Sequence, residues 1–160
     1  GRGMTFAAVF TSIEDWNHRS TVAYLFDTFQ SAVIDVDTGL QDPSLGSSPV
    51  YAESLAATRA TFAAWDRVHL VPGRLPESLA SVDVGRIGFL HIDLNTPSAE
   101  VESLRVLWPR LLPGAPVLLD DYAHVNSEPQ YEAMNALASE LGVSILSLAT
   151  GQGLIITPPR

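Results

Sequence analysis

Residues 87–122 have the sequence IGFLHIDLNTPSAEVESLRVLWPRLLPGAPVLLDDY. One short apolar run leads into Asp93 and a second leads into Asp120, and each has the length of a buried strand. Between the two runs, apolar residues recur at helical spacing until a Pro-Gly pair ends the segment. The pattern predicts a strand, a helix capped by Ser98 and a second strand, which together form one βαβ unit of a parallel sheet. The three elements are predicted over residues 87–92, 98–112 and 117–119.

The same alternation of strands and helices extends on both sides of this unit. Upstream, it predicts helices over residues 5–16 and 51–65, strands over 21–26 and 67–71, and a long loop over 31–48. Downstream, it predicts a helix over residues 129–141 and strands over 143–148 and 154–157. The last two strands are joined by the tight link Gly151-Gln152-Gly153, so the final one is a candidate antiparallel strand.

These elements predict an α/β fold with a Rossmann-like, doubly wound, mostly parallel sheet that is covered on both faces. No predicted strand precedes Gly1, although the first strand of such a sheet normally lies at its centre. We therefore interpret residues 1–160 as a single domain that lacks its first strand and is truncated at its N-terminus.

The charge and the composition of the chain argue against several classes of function. The 160 residues carry a net charge of −9 and no Lys/Arg run, which argues against a nucleic-acid partner because such proteins usually present a basic stripe. The lack of cysteine excludes disulfides, thiolate nucleophiles and Cys-based metal sites. No apolar run reaches the ~18 residues of a membrane span and no signal peptide is visible, so we expect a cytoplasmic protein without a membrane partner. A homo-oligomer is compatible with the sequence.

Aspartates follow the apolar strands at the positions where such a sheet binds its ligands. Asp93, Asp120 and Asp121 come directly after strands, and the carboxyl ends of neighbouring parallel strands meet at one edge of the sheet. Three carboxylates at one edge would repel one another without a cation, and hard oxygen donors suit Mg²⁺, Mn²⁺ or Ca²⁺. We predict a divalent-metal site at these residues; the alternative is that Asp121 caps a helix or faces water.

A nucleotide-type pattern lies at the start of the chain. Gly1 and Gly3 form a turn before a predicted helix, and a helix N-terminus favours negative charge. Asp27 follows this turn at roughly the 20-residue spacing at which an acid accepts hydrogen bonds from a nucleoside ribose. Both features have ordinary alternatives, because Gly turns before helices are common and Asp27 could be solvated or could cap a helix.

The histidines offer one candidate base. His18, His69, His91 and His124 show no metal-type spacing. His91 lies inside a predicted strand and is interpreted as structural. His124 follows the Asp pair and is the better candidate for a general base, although a surface-loop role fits it equally. No Gly-x-Ser-x-Gly or Walker-type motif is present, so neither a hydrolase triad nor phosphoryl transfer is supported.

Three stretches resemble the class I S-adenosylmethionine (SAM)-dependent methyltransferases: LFDTF (25–29), FLHIDLN (89–95) and LWPRLLPGAPVLLDDY (107–122). The chain is most similar to the macrocin-type sugar O-methyltransferases, which GRLPESL (73–79) and LATGQGLIITP (148–158) also resemble. The resemblance covers nearly all of the chain. It implies the class I methyltransferase sheet without its first strand, SAM as the cofactor, and a small-molecule methyl acceptor such as a sugar or polyketide.

The resemblance also implies roles for individual residues. The magnesium ligands of these enzymes match the aspartates at the strand ends, Asp93, Asp120 and Asp121. Their SAM-binding positions match Gly1, Gly3, Asp27, Gly73 and Asp93.

One position departs from the family. The sugar O-methyltransferases have an Asp-x-Asp motif after the fourth strand, and its second Asp resembles a catalytic base. Here that position is Asn95, whose amide cannot take up a proton at neutral pH. Asn95 could instead orient the acceptor or a metal-bound water, and either His124 or the metal alone would replace the missing base.

The sequence thus favours metal-assisted O-methylation of a small molecule. The alternative is a non-catalytic or degenerate SAM- or metal-binding module with a Rossmann-like fold, in which Asn95 marks lost catalysis. A nicotinamide-dependent oxidoreductase is a further rival, but its hydride chemistry usually needs a Tyr/Lys or His/Asp pair and the chain contains no lysine.

Overall fold

The computed structural model describes residues 20–29 and 55–159. The predicted helix over residues 5–16, the predicted loop over 31–48, and Gly1 and Gly3 lie outside the described residues. The described residues belong to two compact units. We call residues 20–29 and 55–81 the N-terminal unit and residues 82–159 the C-terminal unit.

The N-terminal unit contains a parallel pair of strands. Its elements are β1 (Ala23–Asp27), α1 (Leu55–Thr61), β2 (Val68–Pro72) and a 3₁₀ turn (Glu77–Ser81). β1 and β2 are in parallel register, so that Asp27 lies opposite Pro72 at their carboxyl ends. Leu25, Phe62 and Trp65 belong to a small apolar cluster in this unit. The predicted parallel arrangement of these two strands is therefore confirmed.

The C-terminal unit is a four-stranded mixed sheet with two helices. Its elements are β3 (Leu90–Ile92), α2 (Pro97–Leu107), a 3₁₀ turn (Trp108–Arg110), β4 (Pro116–Leu119), α3 (Glu128–Leu141), β5 (Leu146–Ser147) and β6 (Gly153–Ile156). The strand order is β3-β4-β6-β5. β3 and β4 are parallel, whereas β6 is antiparallel to both β4 and β5. The α/β class and the antiparallel last strand are thus confirmed.

Several elements are shorter than the sequence predicts, for identifiable reasons. Helix α2 begins at Pro97 with Thr96 as its N-cap, so Ser98 is not the cap. The α-helix gives way to a 3₁₀ turn around Pro109, which has no N–H to donate to the helix. Strand β3 covers only Leu90–Ile92, and Ile87 forms a separate parallel bridge with Leu111. None of the described helices is long and apolar enough to cross a membrane.

The core of the C-terminal unit lies where α2 and α3 pack on the sheet. Strand β4 contributes Val117 and Leu119, and β6 contributes Ile155, each at most 1% exposed. The helices contribute Leu104, Met134 and Leu137 to the same cluster. Because the apolar faces of these elements are fully buried, the carboxyl ends of β3 and β4 are held at fixed positions.

Gly153 allows a close approach between β6 and the loop that follows β4. A Cβ at this position would lie 2.7 Å from Cγ of Tyr122 and 2.9 Å from Cγ2 of Ile145. Tyr122 is only 4% exposed, so its ring cannot easily move away. We expect Gly153→Ala to lower the free energy of unfolding by about 1–3 kcal/mol in urea denaturation. Gly88→Ala is the matched control, because its added Cβ would meet only Leu112 at an ordinary 3.9 Å; equal losses in both variants would contradict the steric explanation.

Candidate functional site

The two acidic strand ends of the C-terminal unit lie side by side. β3 and β4 are parallel neighbours with Ile92 opposite Leu119. The pairing continues one residue further, because the Asp120 N–H donates to the Ile92 carbonyl oxygen at 2.9 Å. Asp93 and Asp120 therefore leave the sheet at the same edge, as the strand-end pattern predicts.

A histidine joins these two aspartates. His91, Asp93 and Asp120 each offer one ligand atom, and these atoms all lie within 4.8 Å of one another. His91 Nε2 lies 3.4 Å from Asp120 Oδ1, and both side chains are partly buried. His91 is predicted to be structural, but its spacing from Asp93 is a sequence signal for the site. His91 and Asp93 are two residues apart, and side chains at that spacing along a strand point to the same face.

Asp121 belongs to the same electrostatic cluster. Burial, followed by the negative charges of Asp93 and Asp120, raises the pKa of the Asp121 carboxyl, while His124 and His91 oppose the shift. Its Oδ2 atom is buried and has no hydrogen-bond partner. Helix α3 begins at Glu128 with Ser127 as its N-cap, so Asp121 does not cap it. The structure thus brings together the three carboxylates that the sequence predicts.

A fourth carboxyl group, which no pattern in the sequence predicts, interacts with the cluster. Glu100 on α2 is only 4% exposed. Burial, then the charge of Asp121 and to a smaller degree that of Asp93, raises the pKa of Glu100 to about 8, against the hydrogen bonds from the Leu94 and Asn95 backbone. Its Oε1 has no hydrogen-bond partner. Its position in the first turn of a helix resembles that of an ordinary exposed glutamate, so the sequence gives no signal for its burial.

Gln152 fixes the orientation of Asp120. Its side-chain amide donates to Asp120 Oδ1 at 2.7 Å, and Thr150 Oγ1 donates to the Gln152 amide oxygen at 2.9 Å. Gln152 directly precedes β6, whose Gly153 lies opposite Leu119 in the antiparallel pair. The antiparallel pairing of β6 with β4 therefore brings this amide to the acidic cluster.

The two predicted catalytic residues lie in loops next to the cluster. Asn95 is exposed in the turn after β3 and has φ 56°, a left-handed conformation that Asn tolerates better than most residues. His124 is exposed, and its ring packs over Gly151, where an added Cβ would lie 3.2 Å from it. The loop carrying His124 is held by the Ala123 N–H, which donates to the Gly151 carbonyl oxygen at 2.7 Å. His124 can therefore reach solvent beside Asp121.

Two of the predicted cofactor-binding residues lie together in the N-terminal unit. The Gly73 N–H donates to the Asp27 carbonyl oxygen at 3.0 Å, just beyond the paired ends of β1 and β2. Gly73 has φ 143° and an added Cβ would lie 2.8 Å from Cβ of Ser78, so the turn requires glycine. The Asp27 carboxylate accepts the Phe29 N–H at 2.6 Å through Oδ1. This contact orients the Asp27 side chain at the strand end.

The donor set of the acidic cluster fits a divalent cation. Two ligand atoms that are each about 2.1 Å from one ion lie about 3.0–3.4 Å apart, and His91 Nε2 and Asp120 Oδ1 are separated by 3.4 Å. Asp121, whose carboxyl group interacts electrostatically with Asp93 and Asp120, has a buried oxygen without a hydrogen-bond partner. A bound cation would reduce the mutual repulsion among these carboxylates. His91, Asp93, Asp120 and Asp121 could therefore hold such an ion.

Known proteins are similar to parts of this chain in sequence and to its fold in structure. The profile of a family described as methyltransferase domain matches residues 1–122. The 8-demethyl-8-(2,3-dimethoxy-alpha-L-rhamnosyl)-tetracenomycin-C 4'-O-methyltransferase of Streptomyces olivaceus is 33% identical over 78 residues, which cover 46% of this chain and 30% of that protein. The matched segment thus spans less than a third of that relative.

Solved structures of methyltransferases have a fold similar to that of this chain. The O-methyltransferase NovP has a TM-score of 0.75 and 18% identity, over 92% of this chain and 64% of that one. The calicheamicin methyltransferase CalS11 has a TM-score of 0.66 and 18% identity, over 95% of this chain and 66% of that one. At these identities the likeness shows the fold, and the chain covers just under two thirds of either structure.

Proposed function

Because the chain belongs to the methyltransferase domain family, whose profile matches residues 1–122, we propose that it transfers the methyl group of SAM to a hydroxyl oxygen of a small molecule. The observation that carries the proposal is the grouping of His91, Asp93 and Asp120 at the carboxyl ends of two parallel strands. Ligand sites of such sheets lie at those ends.

The reaction is an in-line displacement. The bond between the SAM sulfur and the methyl carbon breaks while a bond forms between that carbon and the acceptor oxygen, and the hydroxyl proton passes to a base. The products are S-adenosylhomocysteine, the methyl ether and a proton. A divalent cation bound at the site would lower the pKa of the acceptor hydroxyl. The protein's own part is to hold donor and acceptor in line.

Each part of this reaction can be assigned to particular described residues. Asp93, Asp120 and Asp121 would hold the cation, and Gln152 would keep the Asp120 carboxylate oriented through its 2.7 Å hydrogen bond. His124 would accept the hydroxyl proton, since its exposed ring lies beside the cluster and the Asn95 amide cannot serve as a base. Asn95 would orient the acceptor from the turn after β3.

SAM would be bound by the residues that the family resemblance assigns to it, Gly1, Gly3, Asp27, Gly73 and Asp93. Within the described residues, the contact between Gly73 and the Asp27 carbonyl supports this proposal, because it places a glycine turn beside an acid at a strand end. Such an acid can accept hydrogen bonds from both ribose hydroxyls.

We take the acceptor to be a sugar hydroxyl on a natural product. The support is the relative from Streptomyces olivaceus, whose name places its action on a rhamnosyl group and which shares 33% identity over 78 residues. A sugar diol offers two oxygens to one cation, which matches a site with several carboxylates.

The test is a turnover assay with the full-length protein, SAM and a panel of deoxysugar glycosides, with and without Mg²⁺ or Mn²⁺. Production of S-adenosylhomocysteine together with a methylated glycoside would support the proposal. Calorimetric titration of SAM into the same samples gives the second readout. SAM binding without turnover on any acceptor would favour the non-catalytic binding module that Asn95 suggests. An absence of SAM binding would overturn the proposed reaction and favour a degenerate module without SAM.

Asp27 provides a separate test of the SAM site. We expect Asp27→Ala to weaken SAM binding by about 10- to 100-fold, because hydrogen bonds to a charged acceptor contribute about 1.5–3 kcal/mol. Metal affinity should stay unchanged. Asp27→Asn is the folding control, since its amide oxygen can still accept the Phe29 N–H that Asp27 Oδ1 now accepts. Unaltered SAM affinity in Asp27→Ala would count against the ribose role.

A further inference from the structure

His91 lies on the same side of β3 as the acidic cluster. In this strand Ile92 is 4% exposed and belongs to the core. Its neighbours along the strand, His91 and Asp93, therefore point to the opposite face, because side chains alternate along a strand. The pleat of β3 thus brings an imidazole to the edge where the carboxylates converge.

The geometry around His91 is that of two ligands of one ion. Its Nε2 atom lies 3.4 Å from Asp120 Oδ1, which is longer than the roughly 2.7–2.9 Å of a charge-assisted hydrogen bond. The separation does match two atoms bound to the same cation. Asp120 Oδ1 already accepts the amide hydrogen of Gln152 at 2.7 Å, so its carboxylate is held in place without a hydrogen bond from His91.

We propose that His91 is a direct ligand of the cation, and that its nitrogen makes the site prefer a first-row transition ion such as Co²⁺ over Mg²⁺. Carboxylate oxygens alone suit Mg²⁺, Ca²⁺ and Mn²⁺, whereas imidazole suits the later transition ions. Asp93 and Asp120 supply the oxygens within 4.8 Å of the His91 nitrogen, so this group of ligand atoms combines one nitrogen with two carboxylate oxygens. Any role of this metal preference in catalysis rests on the function proposed above. Binding of the cation by His91 does not depend on that function.

The test measures metal binding and not turnover. Chelator-treated wild-type protein is titrated with Co²⁺ and with Mg²⁺ by calorimetry, and the visible absorption of Co²⁺ reports nitrogen ligation. We expect Co²⁺ to bind at least about 100-fold more tightly than Mg²⁺. In His91→Gln, Co²⁺ affinity should fall by about tenfold or more while Mg²⁺ affinity changes by less than about threefold. His91→Asn repeats the test if the first variant unfolds.

His69→Gln is the matched control, because His69 is exposed on β2 and its ring stacks on Tyr24 at 5.2 Å. This change should alter neither affinity. A folded His91→Gln variant with the wild-type ratio of Co²⁺ to Mg²⁺ affinity would overturn the proposal, as would equal affinities in the wild type. Calorimetric titration of SAM into the same samples separates this result from the proposed function: a failure to bind SAM would leave the metal preference standing.

Discussion

Replacement of Asp120 by Asn is expected to lower SAM turnover by on the order of 100-fold or more, because a cation at this site supplies several kcal/mol of stabilisation to the reacting oxygen. Asp120 lies in the centre of the cluster, with His91 Nε2 3.4 Å and the Gln152 amide 2.7 Å from its Oδ1. The amide of Asn keeps the shape of the side chain but loses the charge that binds the cation. The measurement is kcat/KM for an accepted glycoside with saturating and with chelated divalent metal.

Comparing turnover with and without a chelator distinguishes loss of the cation from unfolding of the variant. A chelator should reduce wild-type turnover to a similar degree and should have little further effect on Asp120→Asn. The variant should also be at least as stable as the wild type without metal, because one of several repelling charges is gone. Asp83→Asn is the control, since Asp83 is 81% exposed and pairs with Arg110 away from the cluster. If the chelator does not change wild-type turnover, the result would argue against a catalytic cation.

Substitution of Glu100 by Gln is expected to remove a large pH dependence of stability. In the unfolded chain Glu100 has its ordinary pKa of 4.5, whereas burial first and the charge of Asp121 second raise the pKa in the folded protein to about 8. Between these values the folded state binds more protons than the unfolded state, so the free energy of unfolding falls as pH rises. For a residue only 4% exposed, the loss between pH 5 and pH 9 is on the order of 4 kcal/mol.

Urea denaturation at several pH values, in metal-free buffer, measures this effect. Glu100→Gln should show a flatter pH profile and should exceed the wild type in stability at pH 9, because its neutral amide keeps an oxygen for the Leu94 and Asn95 N–H groups. Glu102→Gln on the same helix is the control, since Glu102 is exposed and pairs loosely with Arg105 at 3.7 Å. Parallel profiles for the wild type and Glu100→Gln would show that Glu100 is ionised throughout.

Much of the candidate site is predictable because it depends on where strands end. An apolar run that stops at an aspartate predicts both a strand and the edge at which its ligand would lie. Asp93, Asp120 and Asp121 follow from this rule, and the structure brings them together. The antiparallel last strand follows from a Gly-rich link too short for a crossover. Each of these signals lies within a few consecutive residues.

Other parts of the site depend on register and burial, to which residues distant in sequence contribute. His91 joins the cluster because the pleat of β3 points it the same way as Asp93, and only the pairing of β3 with β4 places it beside Asp120. Gln152 reaches Asp120 because β6 runs antiparallel to β4. Glu100 is buried because α2 packs its first turn behind the acidic loop.

The sequence by itself determined the class of fold, the strand ends and the three aspartates, because local hydrophobic pattern and chain-breaking residues encode them. Only the tertiary structure decided which nitrogen, amide and buried carboxyl group surround those aspartates. These contacts depend on the pairing of strands and on the packing of a helix. Many residues that are distant in sequence contribute to the free energy of such packing, so no short segment predicts it.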